Sequence, residues 1–219
     1  MSDSTSYFPR AFHDAGMKYP NERSVFENGS MNAPVAATGV LAPVSSSVDV
    51  APAEAPRTTR LTPAEVAAHA SELLRVQHAA FRVEAEILGH DDIPYLRETE
   101  EDIVDPALVW FVDLGGAGEV RGAIALSDTA AGAAARGRSV RSRAPWLITR
   151  VMVDPAVHRR GVAGRLLEQV QAKGEGLVVV TSEENPPGIR MYRKHGFTRG
   201  ADLPADSGIG PLVEYEWRP

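Results

Sequence analysis

The sequence predicts a mixed α/β domain in which a sheet is covered by helices, and three stretches predict it. Val66, Ala70, Leu73, Leu74 and Phe81 recur on one face at helical spacing. Ala107–Leu114 and Val120–Ser127 are apolar runs joined by Gly-Gly-Ala-Gly, the pattern of an antiparallel hairpin. Trp146–Val153 reads as a strand that runs through a basic, glycine-bearing turn into a second amphipathic helix.

Taken in order, the first helix opens at Thr62-Pro63-Ala64-Glu65. Threonine three residues before glutamate makes a capping box, and proline suits the first helical position. Gly89 ends that helix. An acidic segment from Asp91 to Asp105 predicts a short helix with loops. After the hairpin, Thr129–Arg143 reads as a small-residue loop carrying Arg136, Arg138, Arg141 and Arg143. Gly161–Lys173 is the second amphipathic helix, with Val162, Leu166, Leu167 and Val170 inward. Leu177–Thr181 is a buried strand, Pro187–His195 a short helix, and Thr198–Trp217 one or two closing strands around a Gly/Pro loop.

The chain has 219 residues, no cysteine and a net charge of −6. The missing cysteine excludes disulfides, thiolate metal sites and a cysteinyl intermediate. It fits a reducing cytoplasm. The acidic balance argues against nucleic acid or an anionic membrane as the main partner, and permits a cationic substrate. No run reaches the roughly 18 apolar residues of a membrane span. Residues 1–57 are expected to be an N-terminal extension and a linker. The linker, 31–57, is rich in Ala, Pro, Val and Ser and holds no aromatic residue, so it cannot build a core. The folded domain is expected over 58–219. Residues 1–30 hold Tyr7, Phe8, Phe12, Tyr19 and Phe26, unusual for a solvated tail. They are read as a dispensable leader or as a segment that docks on the domain or on a neighbouring subunit. A homodimer is left open.

Two stretches carry chemistry. In the first, a strand ends at Asp154-Pro155, and Ala156-Val157-His158-Arg159-Arg160-Gly161-Val162-Ala163-Gly164 leads into a helix. Free amides and the dipole at a helix start favour an anion, and the small residues admit a bulky one. The P-loop and dinucleotide patterns are both absent. In the second, Asn185 follows a strand, Tyr192 stands seven residues on, and Gly196-Phe197 closes the helix.

Together these stretches resemble motifs A and B of the GNAT superfamily of acyl-CoA N-acyltransferases. Motif A reads Gln/Arg-x-x-Gly-x-Gly/Ala. It is matched by His158-Arg159-Arg160-Gly161-Val162-Ala163, with histidine at its first position. The specific likeness covers about Trp146–Phe197, and residues 1–57 lie outside it. The resemblance implies a mostly antiparallel, twisted sheet flanked by helices, with CoA bound where the central strands splay. It implies N-acetyl transfer from acetyl-CoA, as co-substrate and without a metal, to a small-molecule primary amine. It places the pyrophosphate on the amides of Arg159, Arg160, Gly161, Val162, Ala163 and Gly164, with His158 a weak contact. The pantetheine arm pairs with Val151, Met152 and Val153, an amide near Val153 polarises the thioester carbonyl, and Asn185 binds the arm. Tyr192 is placed as general acid for the departing thiolate, which its ordinary pKa near 10 suits.

Other readings of the same residues stay open. Tyr192 also fits a core position, and Asn185 also fits a helix cap. Glu84 and Glu183 are candidate general bases, and water can serve instead. Glu84 and Glu86 lie two apart on one helix and point in different directions, so at most one of them faces the site. The acidic run 91–105 is either a solvated face or the lining of a mouth for a cationic amine. Two rival functions are a non-catalytic acyl-CoA sensor, which needs the cradle but no acid, and an acetylator of charged tRNA, for which only the arginines at 136–143 offer a basic face.

Overall fold

The protein is described here from a computed structural model, over residues 57–135, 140–203 and 211–219. The leader and linker before residue 57, Arg136 and Arg138, and most of the Gly/Pro loop (204–210) lie outside the described residues.

Among the described residues, seven strands form one sheet in the order β1-β2-β3-β4-β5-β7-β6. They are β1 (Arg57–Arg60), β2 (Val109–Leu114), β3 (Val120–Asp128), β4 (Trp146–Val153), β5 (Leu177–Ser182), β6 (Thr198–Leu203) and β7 (Leu212–Trp217). Every neighbouring pair is antiparallel except β4–β5, which is parallel. The helices are α1 (Pro63–Ala68), α2 (Ala70–Leu88), α3 (Glu100–Ile103), α4 (Thr129–Ala135), α5 (Val162–Gln171) and α6 (Pro186–Lys194). The mixed, mostly antiparallel sheet flanked by helices is the predicted fold class.

Period-two alternation sorts the strand side chains onto two faces. Trp110, Val112, Ala123, Ala125 and Met152 pack under α1 and α2 with Val66, Leu73 and Val76. Phe111, Ile124, Leu126 and Ile148 pack on the other face with Val162, Leu166, Leu167 and Val170 of α5 and with Tyr192 of α6. The capping box forms: Thr62 N–H donates to Glu65 Oε2 at 2.8 Å, and Glu65 N–H to Thr62 Oγ1 at 3.3 Å. Gly89 closes α2 in the left-handed conformation, φ 73°.

The structure departs from the sequence reading at three places. The expected single first helix breaks at His69 into α1 and α2. The expected loop after Ser127 begins as the helix α4, in which Gly132 lies against Ser127 and Leu147, where a Cβ would not fit. Arg57–Arg60, the end of the expected linker and the first residues of the expected domain, form a strand, not foreseen from the sequence, that pairs with the edge of β2. Among the described residues, no helix is long and apolar enough to cross a membrane.

Candidate active site

The two halves of the sheet part within β4. It pairs with β5 only through Trp146, Leu147 and Ile148, opposite Leu177, Val178 and Val179. Its remaining residues continue along β3 alone. At the parting point the Tyr95 hydroxyl donates to the Thr149 carbonyl at 2.5 Å, satisfying a group that β5 no longer reaches. Asp154 N–H donates to the Arg121 carbonyl of the β3 side at 2.9 Å. Antiparallel alternation then turns Met152 toward β3, and turns the N–H and C=O of Val151 and Val153 toward the open side. His158 Nε2 lies 3.2 Å from the Val153 carbonyl, so that carbonyl is engaged while the Val153 N–H faces the gap.

The gap opens into a cleft of about 850 Å³, counted with its mouth, whose walls include Phe81, Glu84, Tyr95, Val151, Asn185 and Tyr192. Phe81 and Tyr95 stack with centroids 4.4 Å apart and form an aromatic wall.

The turn after β4 leads to the start of α5. Arg159 has φ 65° and Gly161 φ 76°, two left-handed residues that reverse the chain sharply. Gly161 caps α5 without a side-chain hydrogen bond. The first helical bond of α5 is Arg165 N–H to the Gly161 carbonyl, 3.1 Å. The amides of Val162, Ala163 and Gly164 therefore precede the ladder, as the first turn of any helix requires. Arg159 and Arg160 are exposed beside them. The turn could hold an anion such as a diphosphate, because it presents amides outside the helical ladder, the positive end of the helix dipole and two exposed arginines. Gly164 also serves packing, since a Cβ there would stand 2.9 Å from His195 Nε2.

Tyr192 is 6% exposed, with its ring edge-on to Phe197 at 5.6 Å. Burial holds its phenol well above the ordinary tyrosine value, and the nearby Glu84 charge and Tyr95 push the same way. It thus keeps its proton throughout the neutral range. Burial also raises the Glu84 carboxyl, opposed by the Asn185 amide, whose Nδ2 donates to Glu84 Oε1 at 3.1 Å. Asn185 caps α6 as well: its Oδ1 accepts from Gly188 N–H at 3.0 Å. One asparagine thereby joins α2, the start of α6 and the cleft.

The structure brings Glu84, Asn185, Tyr192 and the β4 edge into one cavity, with the turn at 159–164 following the end of β4. It keeps Glu183 out. That side chain is exposed, absent from the cleft wall, and paired with Arg199. Arg141 and Arg143 also lie outside the cleft wall. The acidic run is not a uniform solvated face. Glu98 folds inward to bind Arg150 at 2.9 Å and Gln77 at 2.8 Å, and Asp92 lines the cleft. Arg150 is 4% exposed, near the Tyr95 and Trp110 rings. Sequence reasoning missed Arg150 and Asp113. The available signal was a charge inside an otherwise apolar strand, in Leu-Ile-Thr-Arg-Val-Met-Val and Val-Trp-Phe-Val-Asp-Leu. Among the described residues, no group of three or more His, Asp or Glu could hold a metal.

Comparison with known proteins agrees with this architecture. Residues 105–199 match the family described as acetyltransferase (GNAT) domain. A curated relative, UPF0157 protein YqkA of Bacillus subtilis, is 31% identical over 144 residues, which is 64% of this chain and 38% of the relative. The chain therefore spans well under half the length of that relative. Among solved structures, histone acetyltransferase HPA2 and related acetyltransferase from Corynebacterium glutamicum superposes with a TM-score of 0.55 at 18% identity, covering 76% of this chain and 97% of that one. YncA from Salmonella typhimurium, solved with its cofactor acetyl-CoA, superposes with a TM-score of 0.50 at 18% identity, covering 75% and 94%. At these identities the structural likeness shows the fold.

Proposed function

We propose, on the premise that residues 105–199 match the acetyltransferase (GNAT) domain family, that the protein moves an acetyl group from acetyl-CoA to a primary amine by direct attack. The observation that carries the reading is the parted β4 edge, which lies in one cleft with a buried, protonated tyrosine and leads into a turn of free amides.

Acetyl-CoA supplies the activated thioester. The chain's own groups do the rest. The amides at 161–164 and the Arg159 and Arg160 side chains hold the diphosphate, with His158 at their edge; the Arg160 N–H itself donates to the Val157 carbonyl at 3.4 Å. Val151 and Val153 offer backbone groups to an extended arm, as a missing strand would meet them, and the Val153 N–H is placed to donate to a carbonyl oxygen. Tyr192 Oη keeps its proton at neutral pH and can donate a hydrogen bond to a departing thiolate; burial lifts the phenol above the match with the thiolate that its ordinary value offers, so full proton transfer has to follow the growth of negative charge on sulfur. Glu84 is the carboxylate positioned in the cleft to accept a proton from the incoming amine. Its raised pKa keeps it a better proton acceptor than an exposed glutamate. Asn185, already occupied by Glu84 and Gly188, orients the base and the helix that bears the acid. The lack of cysteine and the acidic charge support a reducing, cytoplasmic setting and a cationic amine as acceptor. Residues 58–219 would be the working domain.

The test is thiol release from acetyl-CoA with a panel of small amines, run beside Tyr192→Phe. Acceleration by at least one amine is expected. Tyr192→Phe should lower turnover on the order of 10²–10⁴-fold while CoA affinity holds, as for removal of one general acid. CoA binding without turnover for any amine would point to a sensor, and unchanged turnover in the variant would remove Tyr192 from the chemistry.

A further inference from the structure

We propose that Asp113 and Arg165 are positioning residues that brace the diphosphate turn from inside the protein; the inference rests on the donor-site reading above. Asp113 lies in β2 among Trp110, Phe111, Val112 and Leu114, and is itself 0% exposed. A buried carboxylate is costly unless cations compensate it, and an apolar residue would serve this strand's core at least as well. Two guanidinium groups converge on it. Arg165 Nε donates to Oδ2 at 2.7 Å, and Arg121 Nε stands 3.5 Å from Oδ1.

Arg165 has a second contact. From the first turn of α5 its side chain folds back toward the helix start, the direction helical side chains take. There Nη1 donates to the Arg160 carbonyl at 3.0 Å. A continuous path therefore runs from the Asp113 carboxylate through one planar guanidinium to the backbone of the turn. It fixes the Arg160–Gly161 peptide between two left-handed residues, φ 65° at Arg159 and φ 76° at Gly161. With the Arg160 carbonyl drawn to the guanidinium, the amides at 161–164 are left for an external anion. Gly161 gives this brace room: a Cβ there would come within 3.3 Å of Arg165 Nη1. Lysine cannot replace Arg165, because a single ammonium cannot span both acceptors.

The experiment is calorimetric titration of wild type, Arg165→Lys and Asp113→Asn with CoA and, as a probe lacking the diphosphate, with pantetheine. Both variants should bind CoA about tenfold more weakly, 1.4 kcal/mol, and pantetheine as wild type does. Wild-type CoA affinity in the variants would overturn the brace. So would an equal loss for both ligands, which marks a general disturbance of the fold. Should Asp113→Asn fail to fold, Arg165→Lys decides alone. If wild type itself binds no CoA, the donor-site reading falls first and the brace falls with it.

Discussion

Glu84 occupies a place where its charge works against the fold. Burial in the cleft raises its carboxyl above the value it has in the unfolded chain, and the Asn185 amide only partly offsets this. The sign follows from proton linkage. Between the unfolded and folded values the folded state binds more protons, so this residue's stabilisation is intact below about 4.5 and is lost as pH rises through the raised value. Glu84→Gln keeps an acceptor for Asn185 and removes the titration. Melting curves should show wild type losing stability relative to the variant as pH climbs from 4 to 8, leaving the variant the more stable protein at pH 8. Parallel curves would mean that Glu84 is effectively solvated. The same substitution should reduce turnover if this carboxylate is the base, a trade between stability and activity common at working sites.

The turn into α5 concentrates conformational cost in few residues. Gly161 stands at φ 76° with its amide side open, and a β-branched side chain tolerates that region poorly. Gly161→Val should cost roughly 1–3 kcal/mol of backbone strain. It should weaken CoA binding by about tenfold or more, since the strain and the added methyls both fall on the anion-facing turn. Calorimetric titration reads this, and undiminished affinity would show that the diphosphate sits elsewhere. At this scale the sequence was informative where an element announced itself by period or cap. The box at Thr62 and Glu65, the inward face of α5 and the hairpin were all visible. Arg57–Arg60 was not, because Arg-Thr-Thr-Arg has no apolar alternation and owes its strand state to the free edge of β2. Thr129–Ala135 was read as a loop because alanine and glycine give no polar face to detect. Within the cleft, Asn185 and Tyr192 belong to one local motif, whereas Glu84 was one of two glutamates on its helix that the sequence does not separate. Asp113, Arg150 and Arg165 take their meaning from partners about fifty residues away, and no local pattern encodes such pairs.

At the scale of the molecule, residues 58–219 were read as self-sufficient, and the edge strand sharpens that boundary. Removing 1–56 should leave the melting temperature unchanged within about 2 °C. Removing 1–61 also deletes the β1 ladder and Leu61, which is 6% exposed and bonds the Trp110 carbonyl at 3.0 Å. Burying one such side chain contributes about 1.5–3 kcal/mol, and each kcal/mol moves a domain of this size by about 2–4 °C. A drop of at least roughly 4 °C is expected for the longer deletion. An equal drop for the shorter one would show that the leader or linker is part of the fold.

The three-rung junction between β4 and β5 has a mechanical consequence. Four strands lie on one flank and three on the other, with a short zipper near one end and the Glu84–Asn185 contact spanning the wedge beyond it. A guest lying along β4 would lengthen that zipper, so loading the donor would stiffen the whole sheet as well as fill a hole.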